Sequence, residues 1–266
     1  PIIESINFSW GNVLNSTDVN SEQKIYVTTS GVENDQELTL ILNENVTDKG
    51  VVKSEIITYT VQVQSASATI VIPSEVLQSL TKDKNYSIIV NVNDEAGNPA
   101  ISKEITIAID RKIPSISSMN FSWGDILNSI DVNSEQQIYV TTSGVENGEI
   151  LELEFNGIIY IGEVQSASAT ITIPSEVLQE LSDGDYTITA DVNDAAGNPA
   201  ITKTGTIKVD KTIPIIKSIN FSWGDVLNST DVKSVQNINI ITSGVENGQE
   251  LTLELNGGVY IGEVQS

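Results

Sequence analysis

The chain has 266 residues with 36 acidic and 13 basic side chains, and it contains neither histidine nor cysteine. The net charge of −23 argues against nucleic acid and anionic membranes as partners, because no basic surface is available to meet phosphates. The missing residue types exclude imidazole and thiolate catalysis, zinc–thiolate centres and disulfides, so only oxygen ligands remain. Since the chain begins at Pro1 with no leader-like segment, we expect an interior piece of a longer protein.

One sequence pattern occurs three times and divides the chain. Asn-Phe-Ser-Trp-Gly occupies residues 7–11, 120–124 and 220–224, and Thr-Ser-Gly-Val-Glu-Asn recurs at matching offsets. A loop motif ending in Ala-Gly-Asn-Pro-Ala closes at residue 100 and again at residue 200. We therefore predict a first repeat at 1–113 with an insertion near 44–55, a second repeat at 114–213, and the N-terminal half of a third at 214–266.

The elements of the first repeat read as strands in chain order. Runs of β-branched and other apolar residues are bounded by Gly, Asn, Asp and Ser, which is typical of short strands. The predicted strands cover residues 24–28, 37–42, 56–63, 68–72, 86–92 and 104–109, with one helical turn at 73–80. About seven strands in roughly 100 residues predict an all-β fold of tandem immunoglobulin-like β-sandwiches, arranged as an elongated string.

Two aromatic positions support this fold. Tyr86 and Tyr186 each follow a polar turn at the start of the penultimate strand, where a tyrosine corner ties its hydroxyl to nearby backbone. The tryptophans at 10, 123 and 223 are expected to pack near the first strand of each repeat rather than to stack on a ligand.

Acidic and amide side chains are predicted to meet at the junction of the first two repeats. In such a sandwich, the linker residue Asp110 comes beside the upper loops of the next repeat. Carboxylate and amide oxygens from two repeats then form a site for a hard cation, for which calcium is the expected ligand. The candidates for this site are Asp110, Asp191, Asn193, Asp194, Glu146, Asp18 and Asn20.

The same residues also have a simpler interpretation. Asn-Asp-Xaa-Ala-Gly-Asn is good turn chemistry, because Asp and Asn hydrogen-bond to local backbone and Gly takes a positive φ. The sequence leaves a cation site and an ordinary turn both open.

The motifs together resemble the tandem bacterial immunoglobulin-like repeats of giant repeats-in-toxin (RTX) adhesins. The resemblance rests on Trp-Gly-Asp-Xaa-Leu-Asn at 223–228, Leu-Ser-Asp-Gly-Asp-Tyr at 181–186, the loop at 191–200 and Val-Asp-Lys-Thr-Ile-Pro at 209–214. It implies an extender, a non-enzymatic spacer that holds a ligand-binding tip away from the bacterial surface during adhesion or biofilm formation. The tip ligand would lie outside this segment, and the partners of each repeat would be its neighbours in the chain.

The resemblance also implies a location and a ligand set. Type I secretion would deliver the chain unfolded to the extracellular space, where calcium would stiffen the junctions between repeats. The implied ligands add Asp210 from the second linker, and Asn93 and Asp94 from the first repeat's loop, to the candidates already named. The alternative is a binding module whose loops recognise a glycan or a protein partner; a glycosidase built on paired carboxylates is a third, weaker hypothesis.

Overall fold

The fold is all-β, as the sequence predicts. In a computed structural model, residues 1–44 and 56–265 are described, so the insertion expected near 44–55 lies almost wholly outside the described residues. The chain forms two compact units, which are Pro1–Asn120, Gln137–Ile171 and Thr187–Gly205, and Phe121–Gln136, Thr172–Tyr186 and Thr206–Ser266. Within the described residues, no helix is both long enough and apolar enough to span a membrane.

The first repeat folds as two facing sheets. The strands are β1 (Ile2–Phe8), β2 (Val13–Leu14), β3 (Gln23–Ser30), β4 (Glu37–Glu44), β5 (Ile56–Gln62), β6 (Ser67–Ile72), β7 (Asn85–Val92) and β8 (Lys103–Ile109). One sheet has the order β1–β3–β6 and the other β2–β8–β7–β4–β5. A 3-10 turn (Asp18–Asn20) and one short helix, α1 (Ser74–Ser79), complete the repeat. All six predicted strands and the helical turn are confirmed. The sequence patterns do not predict β1, β2 or the 3-10 turn.

Alternation of side chains builds the core of this sandwich. Strand β3 buries every second residue, and β4 does the same, so that Ile25, Val27, Leu38 and Leu40 are inaccessible to solvent. Side chains of a strand point alternately to its two faces, which explains this period of two. Trp10 stacks on Phe8 with ring centroids 4.8 Å apart and packs against the core, as predicted.

The second repeat has the same elements. Its strands are β9 (Ser115–Phe121), β10 (Ile126–Asn128), β11 (Gln136–Ser143), β12 (Ile150–Phe155), β13 (Ile158–Glu163), β14 (Ser168–Ile173), β15 (Gly184–Val192) and β16 (Lys203–Asp210), with α2 at Ser175–Glu180 and a 3-10 turn at Asp131–Asn133. In the first unit β11 lies between β9 and β14, and β12 pairs with both β13 and β15. In the second unit β10 pairs in parallel with β16, matching β2 and β8 of the first repeat.

The third copy contains two hairpins. The strands β17 (Ile215–Phe221) and β18 (Ile238–Ser243) form one two-stranded sheet, and β19 (Glu250–Leu255) and β20 (Gly258–Glu263) form the other. A third 3-10 turn spans Asp231–Lys233. In the described residues no further strand pairs with β18 or β19, although their counterparts β3 and β4 have partners on both edges. Apolar side chains that are buried in the complete repeats consequently remain accessible, and Leu255 is 51% exposed.

Candidate functional site

The candidate site is the loop at residues 193–199, which joins β15 to β16. Asn193 and Pro199 form an isolated bridge at its base, and the amide of Asp194 donates to the carbonyl of Asn198 over 3.1 Å. Gly197 has φ +83, a left-handed conformation that glycine adopts without steric cost. The loop at 93–99 of the first repeat has the same bridge and Gly97 at φ +85, so local sequence alone folds both loops.

Asp194 organises the loop from inside. Its Oδ1 accepts from the amides of Ala196 and Asn198 at 3.0 and 2.8 Å, and its Oδ2 accepts from Asn198 Nδ2 at 2.9 Å. Asp94 makes the same bonds to Asn98, whose side chain, followed by its backbone amide, lowers the pKa of the Asp94 carboxyl. The turn chemistry that the sequence offered as one alternative is therefore present in both loops.

The surface of the first repeat that faces this loop is formed where β2 pairs in parallel with β8. Leu14 lies opposite Ile109, and the amide of Asp110 donates to the Leu14 carbonyl over 3.1 Å. This pairing places the turn that begins at Asn15 and Ser16 directly beside the linker at Asp110. Asn15 Oδ1 accepts from the amides of Thr17 and Asp18, which holds the turn in shape.

The loop of the second repeat meets this surface through direct hydrogen bonds. Ser16 N donates to Asn198 Oδ1 over 2.7 Å, and Asn198 Nδ2 donates to the Asp110 carbonyl over 3.1 Å. Asn15 Nδ2 also donates to the Ala196 carbonyl over 3.0 Å. The predicted proximity of Asp110 and Asp194 is thus observed, and the group between them is the carboxamide of Asn198.

The other candidate side chains near this junction accept or donate locally. Asp110 Oδ1 accepts from Lys112 N at 3.0 Å, and Asp18 Oδ2 accepts from Asn15 N at 3.1 Å. Asn20 Nδ2 donates to the Ser16 carbonyl at 2.9 Å. These contacts hold the linker and the turn in place.

The remaining candidates lie in or beside the loops of the two repeats or in the second linker. Glu146 Oε2 accepts from Ala195 N at 2.9 Å, and the Asp191 carboxylate accepts from the Thr202 hydroxyl. Asp210 Oδ1 accepts from Thr212 N at 3.0 Å in the second linker. Asn193 and Asn93 are exposed at the bases of their loops.

These contacts decide whether the residues fit a shared calcium ion. No group of three or more acidic side chains in the described part of the chain is arranged to hold a metal. The two Nδ2 hydrogens of Asn198 point at the oxygens of Asp110 and Asp194, where a cation would have to approach. In this arrangement the Asn198 amide nitrogen lies between the Asp110 carbonyl and the Asp194 carboxylate, and calcium binding by the candidates stays a prediction.

The turn at 15–20 and the loop at 191–198 are both predicted to lie at this junction, and they do. Asn15, Ser16 and Asn198, which form the contacts, are not among the predicted cation ligands. Asn98 and Asn198 both lie in an Ala-Gly-Asn-Pro-Ala motif, so this motif does not distinguish the one that forms inter-repeat contacts. Two of the three cross-junction bonds use a backbone N–H or C=O of the first repeat, which every residue carries.

Comparisons with known proteins bear on the second and third copies. Residues 176–265, about a third of the chain, match the family model for the bacterial Ig-like domain (group 3). No curated protein matches the chain.

Several solved structures are similar. A Ca2+-stabilized adhesin that helps an Antarctic bacterium bind ice is 18% identical with a TM-score of 0.45, over 98% of this chain and 63% of that one. This chain thus spans less than two thirds of that structure. The fibronectin(III)-like modules of Clostridium thermocellum CbhA are 12% identical with a TM-score of 0.45, over 78% of this chain and 95% of that one. At these values neither similarity assigns a function, and the assignment that stands is the match of residues 176–265 to a bacterial immunoglobulin-like domain.

Proposed function

We propose that this chain is a structural spacer in a bacterial cell-surface adhesin. The observation that carries the proposal is the joint at Asn198, where a loop of one repeat is seated on the strand end and linker of the repeat before it. A spacer needs contacts that join consecutive repeats end to end. A module that recognises a ligand needs instead a surface that is free of such contacts.

The setting of the spacer follows from the family match and the motifs. Bacterial Ig-like repeats of this kind support an extracellular location on the cell surface and a role in adhesion or biofilm formation. Export by a type I system, as in RTX adhesins, is part of the same proposal. We propose a non-enzymatic role, supported by candidate carboxylates that are engaged in local hydrogen bonds.

Calcium is a separate part of the proposal and is assigned to individual loops. The net charge of −23 supports it, because unpaired carboxylates repel one another unless cations screen them. Extracellular calcium modules bind at about 0.1–1 mM, the range in which an effect is expected. The direct hydrogen bonds at Asn198 do not depend on this part of the proposal.

Insertion of one additional repeat tests the spacer role. A second copy of residues 114–213 is inserted after Ile213, and small-angle scattering compares this variant with the parent chain in millimolar calcium and in excess chelator. A spacer should gain at least the ~27 Å length of one eight-residue strand in its maximum dimension. A longer dimension in calcium than in chelator, for either chain, would support the calcium part.

Two results would contradict the proposal. An unchanged maximum dimension would show that the repeats pack side by side, which a spacer cannot do. Specific binding of the parent chain on a glycan array would favour the alternative, a binding module that acts through its loops. Identical curves in calcium and chelator would remove calcium alone and leave the spacer role intact.

A further inference from the structure

The same loop occurs in two different environments in this chain. Asn98 of the first repeat is exposed and Asp94 is half-buried. Their counterparts in the second repeat, Asn198 and Asp194, are 0% and 4% exposed. Because the internal hydrogen bonds of the two loops are the same, the difference in burial comes from the first repeat, which covers the loop of the second.

The Asn198 carboxamide is fully engaged at this covered position. Its oxygen accepts from Ser16 N at 2.7 Å, and its Nδ2 donates to the Asp110 carbonyl at 3.1 Å and to Asp194 Oδ2 at 2.9 Å. An amide nitrogen carries two hydrogens, and each has a partner here. A flipped amide would set its NH2 against the Ser16 N–H and its oxygen against two acceptors, so only one orientation satisfies all three neighbours.

Neutral hydrogen-bond donors stabilise the buried carboxylate at the joint. Asp194 is the acid buried here, and it accepts three hydrogen bonds, from two backbone amides and from Asn198 Nδ2. Donors of this kind stabilise a buried carboxylate. The other acceptor of Asn198 Nδ2, the Asp110 carbonyl, is neutral, so this amide lies between one charged and one neutral oxygen.

The backbone of the loop at Gly197 also lies close to Asn15 of the first repeat. A Cβ at Gly197 would lie 3.1 Å from Asn15 Nδ2, whereas a Cβ at Gly97 would meet nothing within 4 Å. Asn15 Nδ2 itself donates to the Ala196 carbonyl. The loop therefore contacts the first repeat at two separate points, one at Asn198 and one at Ala196–Gly197.

We infer that Asn198 is the residue that locks the loop of the second repeat onto the first repeat, and that this lock closes without a bound cation. The inference rests on the proposed spacer function, since a fixed joint is what such a spacer requires. Asn198 acts as a positioning residue: it sets the orientation of one repeat on the next through Ser16 and Asp110. Asn98, which lies in the same Ala-Gly-Asn-Pro-Ala motif, makes hydrogen bonds only within its own loop in the described residues.

Spin-label distances in the full chain test this inference. The chain has no cysteine, so Glu104→Cys on β8 and Glu154→Cys on β12, both at exposed positions, give one unique label pair. We expect a narrow distance distribution in excess chelator, at least twofold broader in Asn198→Ala and unchanged in the matched control Asn98→Ala. Asn15→Asp keeps the acceptor for Thr17 and Asp18 but loses the donor to Ala196, and it should also broaden the distribution.

A conservative variant distinguishes loss of the joint from loss of folding. Asn198→Asp keeps the size and the acceptor for Ser16 N but removes both donated hydrogen bonds, so it should broaden the distribution while circular dichroism stays like that of the parent. A broad parent distribution in chelator that narrows only with calcium would overturn the inference, as would a narrow distribution in both Asn198 variants. Neither result would change the length that the chain gains when a repeat is inserted. The two experiments therefore distinguish failure of the Asn198 inference from failure of the proposed spacer function.

Discussion

Single side chains fix the connections between strands in this chain. Tyr86 is buried at the start of β7, and its hydroxyl accepts from Thr81 N at 2.8 Å. Tyr186 accepts from Ser182 N at 2.9 Å and donates to the Ser182 carbonyl at 3.1 Å. The predicted tyrosine corner is therefore confirmed in both complete repeats, and it closes the turn between helix and strand.

Removal of one hydroxyl measures the contribution of this corner. Tyr86→Phe should lower the free energy of unfolding by about 0.5–1.5 kcal/mol, because one hydrogen bond is lost while the ring stays buried. Urea unfolding followed by fluorescence measures the difference. Tyr26→Phe, on the exposed side of β3, is the matched control, and an equal loss in both variants would contradict a specific role for the corner.

At the scale of the element, the second and third copies differ in how their hairpins are covered. A Cβ on Gly162 of β13 would lie 2.9 Å from Ile171 Cγ1 and 3.3 Å from the Thr170 carbonyl on β14. Gly262 holds the same place on β20, and a Cβ there would meet nothing within 4 Å. A side chain at this position would therefore meet close neighbours in the second repeat and none in the third copy.

The pair of glycines gives a prediction with its own control. Gly162→Ala should lower the free energy of unfolding by about 1–3 kcal/mol through overpacking, whereas Gly262→Ala should change it by less than about 0.5 kcal/mol. Thermal unfolding of the two variants measures the contrast. An unchanged stability in Gly162→Ala would show that β13 accepts a side chain here, as β5 accepts Val61.

At the scale of the whole molecule, the third copy displays the inner face of a sandwich. Ile238, Ile240, Leu251 and Leu253 line an apolar cavity of about 730 Å³ together with Trp223. Their counterparts in the second repeat are completely buried. The difference follows from pairing: in the first repeat β6 covers the free edge of β3, and β7 covers that of β4.

A grafted segment should complete this half-sandwich. A copy of residues 167–213 is added after Ser266, and hydrogen exchange is followed at the amides of Ile240 and Leu253. We expect slower exchange in the graft, because each apolar side chain that becomes buried contributes about 1.5–3 kcal/mol. A graft that carries Ile171→Asp and Ile188→Asp in the added copy should leave exchange unchanged; equal protection by both grafts would contradict pairing through the predicted face.

Features that depend on local sequence patterns were predictable without a structure. Alternation of apolar residues specified β3, β4 and β7, and the repeated motifs specified loops that close on Asp94 and Asp194, because the partners of these bonds lie within a few residues. The role of Asn198 depends on contacts that are distant in the sequence. Its partners Ser16 and Asp110 are 182 and 88 residues away, and the parallel pairing of β2 with β8 brings them together. The shared Ala-Gly-Asn-Pro-Ala motif forms a solvated turn or a buried joint according to what covers it.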